Sequence, residues 1–405
     1  MTRRVAVTGI GVIAAPGSTR AAFWESLRNG RSAIRPMKLV PEGALRFPNA
    51  AEVQDYRASD YMDEKEADLL DRFAQFALIA ARESVAESGL VVTPELGARM
   101  AIVTGTSSAG QASEDHEFYS LYAKGSSRIH PLTIPRIMAN AGTSRIAREY
   151  GIVGPSYTIS TACASASHSI GQAFWMVRNG VVDAAIAGGS EAPFSLGFLK
   201  AWEAMRIVAT DTCRPFSRDR KGLILGEGAA MLVMEPLEHA QARGAKIWGE
   251  IVGFGMSSDA YHLTQPLAEG AARAMRSALE EAAVDPEVVG YINAHGTGTL
   301  ANDVTETQAI REVFGAHADK LQVSSTKSMH GHALGAAGAL EAAATLMALD
   351  EGLIPPTANF TEADPDCALD VVPNTARAAS IEWALSNSFA FGGLNAVLVF
   401  RRGSA

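Results

Sequence analysis

Two echoes, in the same order in the two halves of the chain, constrain its fold most. Val7-Thr-Gly-Ile-Gly11 and Ile251-Val-Gly-Phe-Gly255 each read as a strand ending in Gly-x-Gly. Ile159-Ser-Thr-Ala-Cys163 and Val323-Ser-Ser-Thr-Lys327 each read as a strand and a turn, followed by a helix of Ala, Gly and Ser. Two ordered echoes predict an internal duplication, with residues 1–240 as one unit and 241–405 as the other. Strands alternate with helical patterns in both units, which predicts an α/β architecture in layers. Helices built from such small side chains are expected to form a central layer between two sheets. Ligands in such folds gather where strand ends converge.

Composition sets outer limits. A chain of 405 residues, 47% hydrophobic and 20% charged, has the make-up of a soluble globular protein with room for a large core. Its net charge of −9 argues against a general nucleic-acid or anionic-membrane surface. No apolar run reaches membrane-spanning length. Cys163, Cys213 and Cys367 show no paired spacing, so a reducing compartment fits better than a disulfide framework. The basic Arg3-Arg4 and the apolar run behind it mimic a signal peptide, but Thr8, Gly9 and Gly11 interrupt the run. A cytoplasmic location is expected. Gly9, Gly11 and Ala14 also match part of a dinucleotide fingerprint. No acidic residue ends a second strand about 20 residues on, which favours a simple tight turn.

Local patterns place the remaining elements. Ser18 is expected to cap a first helix through Leu27. Residues 64–87 read as one amphipathic helix with Leu69, Leu70, Phe73, Phe76 and Ala77 inward. Residues 33–60 and 111–135 read as surface excursions, 137–150 as a helix, and 396–400 as the final strand.

The candidate chemistry sits at strand ends. Cys163 lies at a strand-to-helix joint, where unpaired N–H groups and the helix dipole favour thiolate over thiol. A buried structural cysteine is the plainer reading, but small neighbours leave room for a substrate. His295 follows a buried strand in Asn293-Ala-His-Gly-Thr-Gly-Thr299, and Lys327, His330 and His332 occupy another joint. Pseudo-symmetry would bring the second-half groups toward Cys163. His295, His330 and His332 as zinc ligands would lack a nearby carboxylate and face Lys327, so no metal is expected. No Gly-x-Ser-x-Gly elbow supports a serine hydrolase. A cysteine with two histidines and a lysine suits acyl transfer onto sulfur followed by carbon–carbon bond formation. Neutral imidazoles can donate N–H to a carbonyl oxygen that is becoming an enolate. The Asn387-Ser-Phe-Ala-Phe-Gly-Gly393 turn can hold a second oxyanion.

Thr161-Ala-Cys163, His295-Gly-Thr-Gly-Thr299, Lys327-Ser-Met-His-Gly-His332 and Phe389-Ala-Phe-Gly-Gly393 run in that order over essentially the whole chain. Together they resemble the β-ketoacyl-acyl-carrier-protein synthases, nearest the discrete type II elongating enzymes. Polyketide and nodulation-type ketosynthases share the second motif followed by Asn302-Asp303. The resemblance implies an α/β thiolase-like fold, two duplicated halves in five layers, working as a dimer. It implies decarboxylating Claisen condensation of a cysteine-bound acyl chain with malonyl-acyl carrier protein, in fatty acid or specialised polyene or polyketide elongation. No cofactor would be bound, and the phosphopantetheine arm of the carrier would bring the substrate.

The same resemblance implies roles. Cys163 is the nucleophile, and His295 and His332 drive malonyl decarboxylation. Lys327 orients His332, and Glu341 completes that network. The N–H groups of Cys163 and Phe391 form the oxyanion hole, with Phe389 and Phe391 gating the acyl pocket. Thr297, Thr299, Gly392 and Gly393 meet the arm, and Ser107 and Ser108 stand at the pocket base where relatives carry a bulky residue. Ala390 replaces a usual Gly, which should stiffen the gate, and Leu394 replaces a usual Thr. Asp68 and Leu69 stand where relatives present basic residues to the carrier. Docking would then rest on Lys65, Arg72 and the 214–221 loop with Arg214, Arg218, Arg220 and Lys221, and that loop reads equally as a solvated charge run. A ketosynthase needing a chain-length-factor partner is one alternative, a biosynthetic thiolase another. The thiolase would need a second catalytic cysteine, and Cys367 lies in a Pro/Asp-rich loop.

Overall fold

A computed structural model describes residues 2–403. Five strands of the first half are β1 (Val5–Ala14), β2 (Met100–Gly105), β3 (Ser156–Ile159), β4 (Ala184–Glu191) and β5 (Gly228–Pro236). Five of the second are β6 (Gly249–Ser258), β7 (Val289–Asn293), β8 (Gln322–Ser324), β9 (Trp383–Ala390) and β10 (Leu394–Arg402). They line up as β3-β2-β4-β5-β1 and β8-β7-β9-β10-β6. The two halves thus repeat one order, third-second-fourth-fifth-first. β1 also pairs antiparallel with β6 through Val5–Ile251, Ala6–Glu250 and Val7–Gly249, so the two five-stranded halves join at one edge into a continuous sheet.

The principal helices are α1 (Arg72–Ser88), α2 (Ser165–Arg178), α3 (Ala268–Ala282), α4 (Leu300–Phe314) and α5 (Ala337–Glu351). Both α2 and α5 pack on strands of both halves and on each other, which makes them the central layer. From Ala337 to Leu349 every residue of α5 is buried, as its near-continuous Ala and Leu run requires. Outside, α1 covers the first half, and α3 covers the second with α4 against it.

The Gly-x-Gly echoes serve this layering rather than a turn. Strand β1 continues past Gly9 and Gly11 to Ala14, and a methyl group at those positions would lie 2.0 Å from the Ser84 carbonyl oxygen and 1.9 Å from that of Ala80, in α1. Gly253 and Gly255 stand in the same relation to Ala278 and Ala274 of α3, at 2.3 and 2.1 Å. Only glycine lets each first strand approach its outer helix so closely.

Several local expectations change. Thr19, not Ser18, accepts the Ala22 N–H and caps the helix Arg20–Arg28. The 64–87 segment is two helices, Glu64–Asp68 and α1, because the Asp71 carboxylate takes the Phe73 N–H and starts a new helix. Leu69, at the break, is exposed. Residues 111–135 contain the helix Gln111–Tyr122, and the helix placed at 137–150 begins at Ala141. Among the described residues no helix is long and apolar enough to cross a membrane.

Candidate active site

Cys163 stands on a tight turn between β3 and α2. Ala162 takes a left-handed φ of 47°, and the Ser165 hydroxyl pins the turn, accepting from the Thr161 N–H at 2.8 Å and donating to the Ala162 carbonyl at 2.6 Å. The sulfur is buried. Backbone N–H groups of Cys163 and Phe391 both face it and, with the charge of Lys327, favour the thiolate. Burial outweighs them and pushes the thiol up to about 11. The thiolate expected from the helix terminus is therefore not the resting form: Cys163 precedes the first residue of α2, and desolvation dominates over the dipole.

His332 and His295 come to this sulfur from the second half. His332 Nε2 lies 3.1 Å from Sγ, and its Nδ1 has no hydrogen-bond partner among the described residues. The His295 and His332 rings are 5.4 Å apart and nearly perpendicular. Burial and then the Lys327 charge hold both imidazoles well below the usual histidine range, so both are neutral at pH 7. Lys327 is expected to orient His332, but its Nζ instead meets His295, donating to the backbone carbonyl at 2.6 Å and lying 3.4 Å from Nδ1. An ammonium against Nδ1 places the ring proton on Nε2. The Glu341 carboxylate pairs with Lys327, both side chains being fully buried. Burial raises Glu341 to about 7 against the pull of that ammonium.

The loop carrying His295 is fixed from behind. Glu306 of α4 accepts the N–H groups of His295 and Gly296, each at 2.8 Å, and Asn387 donates to the same carboxylate at 3.1 Å. Thr297 and Thr299 share a hydroxyl–hydroxyl bond of 2.9 Å. Both line a cavity, partly open to solvent, whose wall includes Cys163, His295, His332, Phe389, Phe391 and Gly393. His330 lies outside this group, bonded to Thr326 at 2.9 Å and packed on Phe23.

The chain matches the family models described as "Beta-ketoacyl synthase, N-terminal domain" over residues 2–240 and "Beta-ketoacyl synthase, C-terminal domain" over 248–361. The chain belongs to the β-ketoacyl synthase family. It is 46% identical over 402 residues to Nodulation protein E of Rhizobium sp. (strain N33), covering 99% of this chain and 100% of that one. It is 43% identical over 410 residues to 3-oxoacyl-[acyl-carrier-protein] synthase 2 of Synechocystis sp., covering 99% and 98%. Among solved structures, the ishigamide ketosynthase/chain length factor matches with a TM-score of 0.94 at 40% identity, each chain fully covered. A type II PKS ketosynthase solved with its acyl-carrier protein and bound to the hexaketide matches at 0.91 and 31%, again with both fully covered. The thiolase-like fold and the class of enzyme, a condensing acyltransferase, follow from this membership.

Within this β-ketoacyl synthase, the cationic residues expected to meet a carrier separate into two groups. Arg72 is bound to the buried Glu227 through two hydrogen bonds of 2.8 and 2.7 Å, and Arg220 is buried between Asp303 and Asp364. Arg214 is largely buried against Asp211. These three hold the fold together, Arg220 by tying its loop to α4, and only Lys65, Arg218 and Lys221 stay exposed. Ser107 and Ser108 likewise do not line the cavity: their hydroxyl and N–H groups all donate to the buried Glu191. Gly392 is exposed and donates its N–H to the Leu263 carbonyl at 2.8 Å. Ala390 does not have a positive φ and ends β9, so an alanine fits there.

Sequence reasoning missed Trp202, which stacks on Phe391 at 6.2 Å, and the wall formed by residues 262–266. It also missed Glu306. The one signal for Glu306 was its place one helical turn after the Asn302-Asp303 pair in the first turn of α4.

Proposed function

We propose that this enzyme loads an acyl group from a carrier thioester onto Cys163 and condenses it with a malonyl-carrier thioester, giving a 3-oxoacyl thioester and CO₂. The observation that carries the reading is the meeting of one sulfur and two neutral imidazoles, from opposite halves of the chain, at one cavity. Residues 1–240 supply the nucleophile, and 241–405 supply the histidines and Lys327.

In the loading step His332 Nε2 takes the thiol proton, the sulfur attacks the thioester carbonyl, and the proton leaves on the carrier thiol. The N–H groups of Cys163 and Phe391 hold the intermediate oxyanion. Acylation removes the thiol from His332, and its unpartnered Nδ1 leaves the ring proton free to sit on Nε2. His295 and His332 then both donate N–H to the malonyl thioester oxygen, CO₂ departs, and the enolate carbon attacks the acyl carbonyl. Cys163 leaves as the sulfur anion and takes up one proton from solvent, the proton that loss of CO₂ from a carboxylate consumes. Lys327 and Glu341 act on His295, keeping its proton on the cavity side.

Thr297 and Thr299 are assigned to the amides of a phosphopantetheine arm, and no other cofactor is called for. Exposed Lys65, Arg218 and Lys221 are the charges left to attract an acidic carrier protein. A second subunit of the same fold completes the assembly. The edge strand β3 and the exposed Tyr119, Tyr122 and Ile134 offer it an apolar face with unpaired backbone groups. That subunit is a copy of this chain, or a chain-length factor of the kind named for the ishigamide relative. Intact-protein mass spectrometry with a panel of acyl-carrier thioesters tests the reading. One acyl group should appear on Cys163 and none on Cys163→Ala; acylation of the variant would sink it.

A further inference from the structure

Cys163, His295 and His332 each offer one metal-ligating atom, and the three atoms lie within 4.8 Å of one another. Nitrogen and sulfur ligands at roughly 2.0–2.3 Å from a tetrahedral zinc ion stand about 3.3–3.8 Å apart. His332 Nε2 and Sγ are 3.1 Å apart and the His295 nitrogen lies within 4.8 Å of both, so shifts of about 1 Å complete the triangle. We propose that this triad binds soft divalent metal ions, zinc foremost, as a reversible inhibitory site that occupies the sulfur and both imidazoles at once. The fourth position faces the cavity and is open to water, as in three-ligand zinc sites generally.

The charge of Lys327, which argues against a metal from sequence, is answered by its surroundings. Lys327 is paired with Glu341, stands 3.4 Å from Nδ1 of His295 and does not line the cavity. The carboxylate missing near the histidines in sequence is supplied by Glu306, which fixes the His295 backbone. Binding balances as follows. The Sγ–H bond breaks, a sulfur–metal bond forms, and the proton goes to solvent. His295 Nε2 gives up its proton to bind the ion, while Lys327 passes one to Nδ1. Two protons leave as two positive charges enter, so the buried site keeps its net charge, which removes the main cost of placing an ion there. A thiolate with two imidazoles selects zinc, cobalt or cadmium over magnesium or calcium.

Metal binding stands on this geometry alone; inhibition rests on the proposed condensation, and the test separates them. Cobalt(II), a spectroscopic stand-in for zinc, is titrated into the full-length protein in buffer free of thiols. One ion per chain should bind, with a thiolate-to-cobalt charge-transfer band that disappears in Cys163→Ser and release of about two protons per ion. Equimolar zinc should slow carbamidomethylation of Cys163, read by peptide mass spectrometry, by about tenfold or more, with EDTA restoring it. His295→Gln should weaken binding, which gives a second variant should the serine one fail to fold. A band that survives in Cys163→Ser, or an alkylation rate indifferent to zinc, would overturn the proposal. Zinc protection in a protein that fails to condense would support the metal site and sink the proposed reaction instead.

Discussion

The two strand-to-helix joints of the duplicated halves make an instructive pair. From β3 to α2 the chain crosses through residues 160–164, a single turn strained at Ala162, and presents a sulfur beneath two N–H groups. From β8 to α5 it crosses through 325–336, with an added helical turn at Lys327–His330 and a left-handed Leu334, and presents a lysine and a histidine. The scaffold beneath is the same: strand order, outer helix, and paired glycines under it. Duplication preserved the packing, and the chemistry diverged where the packing ends.

The comparison breaks most visibly at the sulfur. Cys163→Ala should lower condensation by about 10⁴-fold or more while leaving the fold intact, read by carrier-thioester turnover and circular dichroism. A residual rate within tenfold of the parent would place the nucleophile elsewhere. Next comes the protonation state at that joint. With the thiol near 11, alkylation of Cys163 should rise about tenfold for each pH unit between 7 and 9, since only the thiolate reacts. A rate already level by pH 7 would mean that the helix terminus outweighs burial.

The shared scaffold can be tested by matched substitutions. Gly11→Ala and Gly255→Ala each force a methyl group into a helix carbonyl and should each cost about 3 kcal/mol, measured by urea unfolding. Strong loss in one half and none in the other would deny the equivalence. Thr297→Ala is expected to raise KM for the carrier thioester about tenfold at nearly constant kcat. Smallest is Lys221→Glu, which should raise that KM a few-fold, an effect that fades with added salt. Equal KM values at low salt would remove Lys221 from the docking face.

Much of the site was legible because its parts sit in short Gly- and Ser-rich segments that follow strands. Cys163, His295 and His332 could be placed that way, and their convergence followed from the ordered echoes. Other features depend on partners remote in sequence. Arg72 looks free until its helix is seen against Glu227, and Arg220 until its loop meets Asp303 and Asp364. Lys327 stands five residues before His332 in sequence, yet in space it reaches His295, because β7 and β8 lie side by side. The break at Leu69–Asp71 was hidden because the apolar stripe continues across it, whereas the Asp71 cap acts through a single hydrogen bond.

Measuring the two half-reactions separately in His295→Ala tests the division between a sulfur from one half and imidazoles from the other. Release of CO₂ from the malonyl-carrier thioester should fall by about 10²–10³-fold, while acyl loading of Cys163 should stay within a few-fold of the parent. Loss of loading to the same extent as CO₂ release would contradict the account.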